Sequence, residues 1–190
     1  RGAGLEVESS EPEFRFDAAG NVTGARQVEQ TESHRLIERL MILTNEQVAS
    51  LLERKRVPAI YRVHPQPDPQ RIEFLIDQLH ALGVPTPPLR EGLAPRQAGE
   101  IAAQASRLAR QEAARRGHGR EAYTSLVLRS LQQARYSERN SGHAGLGSPA
   151  YCHFTSPIRR YPDLVVHRAL LAGLGEGEEA PRAGEVRDVA

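Results

Sequence analysis

Residues 153–168 read HFTSPIRRYPDLVVHR, which places three arginines, two histidines and two prolines in sixteen positions. Thr155 and Ser156 are natural helix N-caps, and Pro157 is a natural first helical residue. Pro162 pushes Tyr161 away from helical geometry. The first turn is therefore short, and a new helix is expected from Pro162 to about Ala172, ahead of Gly173 and Gly175. Arg159 and Arg160 then sit among unpaired N–H groups at helix starts, where the macrodipole disfavours a cation by about 0.3–1 kcal/mol each. An anion held between those N–H groups and two guanidinium groups reverses that sign, so the stretch predicts a phosphate site. A capped helix whose arginines reach solvent or pair with distant carboxylates accounts for the same letters. His167 and Arg168 fall later in the helix, where cations are welcome. Tyr151, Phe154 and Tyr161 interleave with the basic residues; that pattern suits base stacking on a single strand and suits a core equally well.

Working outward, residues 136–151 (YSERNSGHAGLGSPAY) are irregular and glycine-rich. Before them, Tyr123, Leu126, Val127, Leu131 and Ala134 recur at helical spacing and predict a helix from Glu121 to about Arg135. An alanine-rich helix is expected from Gln97 to Arg116, with a thin stripe at Ile101, Ala105 and Leu108 and a stop at Gly117-His118-Gly119. The proline-rich stretch VPTPPLREGLAP reads as a loop. Asp68 and Pro69 form a helix entry, Ile72, Leu75, Ile76, Leu79 and Leu82 the buried stripe, and Gly83 with Pro85 the stop. Val57–Val63 reads as a short buried strand. The longest helix is expected from Ser33 to about Lys55, where Leu36, Ile37, Leu40, Met41, Thr44, Val48, Leu51 and Leu52 share a face that should lie against a core. Residues 13–29 alternate around Ala19-Gly20-Asn21 and predict a β-hairpin. The expected class is α+β, mostly helical with a few strands.

Composition narrows the function. The chain has 190 residues, 39% of them apolar, and a net charge of +1, so attraction to nucleic acid cannot come from the chain as a whole. Charge is nevertheless uneven: Arg107, Arg110, Arg115, Arg116 and Arg120 face Glu112 alone between residues 107 and 120, which reads as a solvated helix face. Lys55 is the only lysine among 25 basic residues. Arginine offers a planar fork suited to phosphate, and GC-rich codons produce the same bias. No window approaches the ~18 apolar residues of a membrane span, and no basic-then-apolar leader opens the sequence. The single cysteine, Cys152, cannot form an internal disulfide, which fits a cytoplasmic protein. No protein partner is evident. Arg1 in place of an initiating methionine, and an open-ended helical pattern after Pro181, lead to the expectation of an excised segment.

Other chemistries find little support. Ser156, Asp163 and His167 hold the letters of a triad but no nucleophile elbow. Cys152 and His153 are adjacent, and neighbouring side chains in an extended segment point opposite ways. His143, His153 and His167 lack metal-ligand spacing. The aspartates are Asp17, Asp68, Asp77, Asp163 and Asp188, too dispersed for a two-metal cluster from one short motif.

The run SGHAGLGSPAYCHFTSPIRRYPDLVVHRALL resembles the signature of the ribonuclease II / ribonuclease R family in its catalytic RNB domain. The resemblance extends back through SLVLRSLQQARYS, PAIYRVHPQPDPQRI and ESHRLIERLMILTNEQVA, in the family's order and over nearly the whole chain. Small departures are Ala144, where the family tends to have an aromatic residue, and Gly147, where it commonly has alanine. The resemblance implies a partial RNB domain over residues 1–190, from a 3′-to-5′ exoribonuclease that hydrolyses single-stranded RNA to nucleoside 5′-monophosphates. It implies that Arg159 steadies the reacting phosphate, with Tyr151, Thr155, Ser156, Arg160 and Arg168 as wall and phosphate contacts. Phe16 matches an aromatic that stacks near the RNA 3′ end, and Glu38 a carboxylate near the terminal nucleotide, though a plain helix surface also explains Glu38. Mg2+ is implied as cofactor, held by an aspartate cluster that lies upstream in the family and has no counterpart here. The flanking RNA-binding barrels are missing as well, so these residues alone are expected not to cleave. A non-catalytic RNA-binding RNB-like module is the alternative, and a helical interaction protein with a solvated basic stretch is a third reading.

Overall fold

A computed structural model describes residues 12–27, 31–89, 92–177 and 179–189. They are mostly helical, with two small two-stranded sheets. The fold divides into two compact units, one ending at Leu43 and the other running from Thr44 onward.

The first unit holds the expected hairpin. Strand β1 (Pro12–Phe16) pairs antiparallel with β2 (Val22–Gln27), with a register shift at Arg15/Phe16. The turn is made by local chemistry: the Asp17 carboxylate accepts from the Ala19 and Asn21 backbone N–H groups, both at 2.9 Å. The expected strand residues 28 and 29 lie outside the described residues.

Helix α1 (Glu32–Lys55) forms where the periodicity places it, but only its C-terminal half packs as expected. Val48, Ala49 and Leu52 are buried, whereas Leu36, Ile37 and Leu40 are half or more exposed. Periodicity shows that a face is apolar, not that neighbouring residues of the same stretch cover it.

In the second unit, one core joins the end of α1 to Ala59, Ile60 and β3 (Tyr61–Val63). It also takes in Ala150, Cys152, helix α5 (Tyr161–Leu174) and Val186 of helix α6 (Ala183–Val189). Residues 57–60, expected as strand, are irregular although Ala59 and Ile60 are buried. A second core joins helices α2 (Pro69–Ala81), α3 (Pro95–Arg116) and α4 (Arg120–Ser130). Asp68 caps α2, accepting from the Gln70 N–H at 2.9 Å, and Gly83 leaves it with φ +67°. Leu82 stays 47% exposed, so the stripe ends at Leu79.

Of the expected α3 stripe, Ala105 is fully buried, while Ile101 and Leu108 are only partly buried. Ala98, Ala102, Ala105, Ala109 and Ala113 form the buried face, with Ile101 packed at its edge. Alanine lets α2 and α4 approach closely. The arginine run is likewise more than a solvated face. Glu112 is buried and takes Arg115 and Arg116, whose guanidiniums hold its carboxyl down at about 2. Arg116 also donates to the carbonyls of Leu82 (3.0 Å) and Gly83 (2.8 Å) and to the Tyr123 hydroxyl (3.1 Å), tying α3 to the end of α2 and to α4.

Helix α4 stops at Ser130 rather than near Arg135, because residues 135–137 leave as β4 (Arg135–Ser137) to pair antiparallel with β3. The chain then returns past the same strand: the Arg62 N–H donates to the Tyr151 carbonyl and the His64 N–H to the Gly142 carbonyl. This return delivers residues 151–160 to the end of α1 and the start of α5. Among the described residues no helix is long and apolar enough to cross a membrane.

Candidate functional site

The site is built on the segment from Tyr151 to Arg160, held at two points by buried polar side chains. At its start stands Asn45 of α1, 3% exposed. Its Nδ2 donates to the Tyr151 hydroxyl at 2.9 Å, and its Oδ1 accepts from the Phe154 N–H at 3.1 Å. Its carbonyl accepts from Cys152 Sγ at 3.4 Å. Tyr151 is thus buried, and the Cys152 thiol, fully buried and near Asp163, is pushed up to about 12, which removes it as a nucleophile at neutral pH. Phe154 lies flat on His167, ring centroids 4.0 Å apart, and its carbonyl takes the His167 Nε2 at 2.9 Å.

At the far end the expected first helical turn does not form. Residues 157–159 make a single turn, closed by the Arg159 N–H to the Ser156 carbonyl at 3.3 Å, and α5 begins at Tyr161 with Arg160 as its N-cap. The anion that the helix start requires is supplied internally by Asp163, which has no exposed surface. Asp163 Oδ2 accepts from the Ser156 N–H and from Arg160 Nη2, and Oδ1 from Arg160 Nε, each at 2.8 Å. The Arg160 guanidinium is therefore engaged within the chain. Arg159 is not: its side chain is exposed and has no hydrogen bond or ion pair among the described residues. Ile158 beside it is fully exposed.

The remaining sequence candidates take different places. The Thr155 Oγ1 is buried without a hydrogen-bond partner. Ser156 contributes its backbone N–H to Asp163. Arg168, on α5, is paired with Glu185 of α6 at 2.7 Å. Phe16, on β1, is 62% exposed, and Glu38, on the N-terminal half of α1, is exposed; both belong to the first unit. Among the described residues no three of His, Cys, Asp and Glu come together to hold a metal ion, so the residues present do not fit the implied Mg2+.

Sequence reasoning missed Asn45, the role of Asp163, and a ladder of rings behind the segment. His64, His143, Tyr151, His153 and Tyr136 meet edge to face in that order, with centroids 5.2, 5.3, 5.9 and 5.6 Å apart. His64 is fixed by its partners: Nδ1 accepts from the Gly145 N–H at 2.9 Å, and Nε2 meets the Gln132 carbonyl at 2.6 Å. A Cβ at Gly145 would stand 2.5 Å from that Nδ1, so only glycine fits there. The Tyr136 hydroxyl meets His153 Nδ1 at 2.8 Å.

Burial pushes His143 and His153 down to about 4, reinforced by His64 and Arg62 at the first. At the second, Arg160, Arg62 and Arg159 reinforce it, and Asp163 opposes. Both imidazoles are thus favoured neutral in the fold, while the unfolded groups titrate near pH ~6.5. Their contribution to stability is complete above that pH, is lost as pH falls towards 4, and is constant below. Both rings are only partly buried, so solvent screening reduces it to about 1–2 kcal/mol each. The urea midpoint should therefore fall between pH 7.5 and pH 5, and His153→Gln should flatten the dependence. The low carboxyl of Glu112 acts in a more acidic window, stabilising above the ordinary carboxylate range and failing as pH falls towards 2. A midpoint independent of pH from 7.5 to 5 would refute the histidine account.

A buried carboxylate thus closes a turn that presents an exposed arginine whose side chain has no partner among the described residues. Comparison with known proteins gives the chain a family. The RNB domain family matches residues 2–176, and the chain belongs to it. Ribonuclease R of Vibrio parahaemolyticus is 41% identical over 170 residues, covering 90% of this chain and 19% of that protein. Ribonuclease R of Escherichia coli is 36% identical over 167 residues, covering 88% of this chain and 19% of that protein. The apo form of Mycoplasma genitalium RNase R superposes with a TM-score of 0.80 at 26% identity, over 98% of this chain and 29% of its own. The chain thus spans about a fifth of the length of the curated relatives it matches.

Proposed function

We propose that this segment belongs to a 3′-to-5′ exoribonuclease that hydrolyses single-stranded RNA to nucleoside 5′-monophosphates, and that it positions the RNA and stabilises the reacting phosphate. The exposed Arg159 guanidinium, without a partner among the described residues, on a turn closed by buried Asp163 carries this reading. An arginine remains protonated at any working pH and offers a rigid fork of N–H donors. As water adds to phosphorus, negative charge grows on the non-bridging oxygens, and a cation already aimed at them lowers the barrier without reorganising. Thr155, four residues earlier on the same segment, belongs to the wall; its hydroxyl is buried, so it shapes the segment rather than donating to RNA. Tyr151, Ser156, Arg160 and Arg168 shape the wall through the contacts described above; Phe16, in the first unit, is by itself an exposed ring on which a base can stack. Mg2+ belongs, on this reading, to carboxylates outside these residues, so the segment alone does not cleave and no step here is routed through the metal. The family resemblance to ribonuclease R supports RNA as the substrate, and an RNase R from Mycoplasma genitalium is known in complex with ribose-methylated single-stranded RNA.

The test uses the complete protein, Mg2+ and a single-stranded RNA labelled at its 5′ end. The expected product pattern shortens one nucleotide at a time from the 3′ end, with nucleoside 5′-monophosphates released and binding weakened by added salt. Binding without shortening would instead support the non-catalytic RNB-like module.

A further inference from the structure

We propose that Asp163 is the positioning residue that aims Arg159, an inference that rests on the role assigned to Arg159 above. One carboxylate closes both ends of a five-residue turn: it accepts from the Ser156 N–H at the near end and from Nε and Nη2 of Arg160 at the far end, all at 2.8 Å. Of the three residues between, Pro157 is partly buried, while Ile158 and Arg159 are turned outward and exposed. Among the described residues the Arg159 side chain makes no hydrogen bond or ion pair; the backbone turn, with its N–H on the Ser156 carbonyl, alone sets where that side chain starts. Burying a carboxylate completely is costly, and such an ion pair about breaks even with a well-packed apolar replacement. Stability is therefore a weak reason for Asp163, and a defined turn is a better one. Asn45 fixes the start of the same segment independently, through Tyr151 and Phe154, so loss of Asp163 frees the turn without freeing the segment that leads into it.

The experiment compares Asp163→Asn, Arg160→Lys and Arg159→Ala in the complete protein, each singly and with Arg159→Ala combined with the other two. Asp163→Asn keeps the shape but leaves one acceptor oxygen where two served three donors. Its kcat should fall about 10–100-fold, the range that follows from displacing a catalytic group by about an ångström, with RNA affinity changed less than threefold. Arg160→Lys keeps the charge and loses the fork, and should lower kcat in the same direction; it decides the matter if Asp163→Asn does not fold. The decisive readout is the Arg159→Ala background, in which adding either change should alter kcat less than twofold, because nothing remains to be aimed. A purely structural role would lower the melting temperature in both backgrounds and leave kcat per folded molecule alone. Full loss in Arg159→Ala with normal kcat in Asp163→Asn or Arg160→Lys overturns this inference and leaves the Arg159 reading standing. Losses that multiply in the double variants overturn it too. Normal turnover in Arg159→Ala overturns both.

Discussion

Arg159→Ala in the complete protein is expected to lower kcat by roughly 10²–10³-fold, the usual cost of removing one donor aimed at transition-state charge. RNA affinity should change by less than threefold. The asymmetry follows from what the side chain lacks. It makes no internal hydrogen bond or ion pair among the described residues, so its removal takes nothing from the fold. A single exposed cation is also one contact among many along an RNA strand, and adds little to overall binding. Charge growing on one phosphate is a local demand, and one well-placed guanidinium answers it. Arg159→Lys should recover only part of the loss, because a point charge does not reproduce the planar fork. Measured kcat and Kd for the three proteins check this, and a parallel fall in both would contradict it.

Asn45→Ala is expected to have the largest effect on stability among single changes near the site, about 2–4 kcal/mol. The side chain is 3% exposed and holds two partners from a segment more than a hundred residues away. Truncation strands the Phe154 N–H inside the protein and leaves the Tyr151 hydroxyl without its donor. Each buried unsatisfied group costs about 1–3 kcal/mol. Tyr151→Phe removes only one of the two bonds and should cost about half as much. Urea unfolding at pH 7.5 reads both, with an unchanged slope expected. A loss under 1 kcal/mol in Asn45→Ala would mean that the segment is held by packing rather than by this amide.

What could be read beforehand depended on how local the physics is. The α2 entry was legible because Asp68 and Pro69 act within one turn, and the hairpin because Asp17 and Gly20 make their own corner. The α1 stripe was legible as a period, yet the exposure of Leu36, Ile37 and Leu40 depends on what covers them, which no period encodes. On α3 the expected stripe of Ile101, Ala105 and Leu108 held at Ala105 alone, because close helix packing favours the alanines over the larger side chains. The arginine run looked like solvent-facing charge because Arg116 finds its acceptors 33 and 34 residues back, at Gly83 and Leu82.

The site divides along the same line. The charge argument at residues 156–160 predicted a bound phosphate shared by both arginines, whereas at Arg160 and the Ser156 N–H the anion is the chain's own Asp163, three residues beyond Arg160. That pairing was open to local reasoning, since an acid in the first turn of a helix is favoured. The return of Tyr151 to Asn45 was not, because 106 residues separate them. The prominence of Arg159 over Arg160 came from family resemblance, and the geometry supplies a physical difference between them: one guanidinium is engaged by a buried acid and the other is not.

The most direct measurement is single-turnover cleavage of a short single-stranded RNA, with saturating complete protein, comparing wild type with Arg159→Ala. The account predicts full binding in both, a cleavage rate reduced in the variant by the same factor as kcat, and partial recovery when free guanidinium is added at concentrations that do not unfold the protein. Cleavage by the variant at the wild-type rate would contradict it.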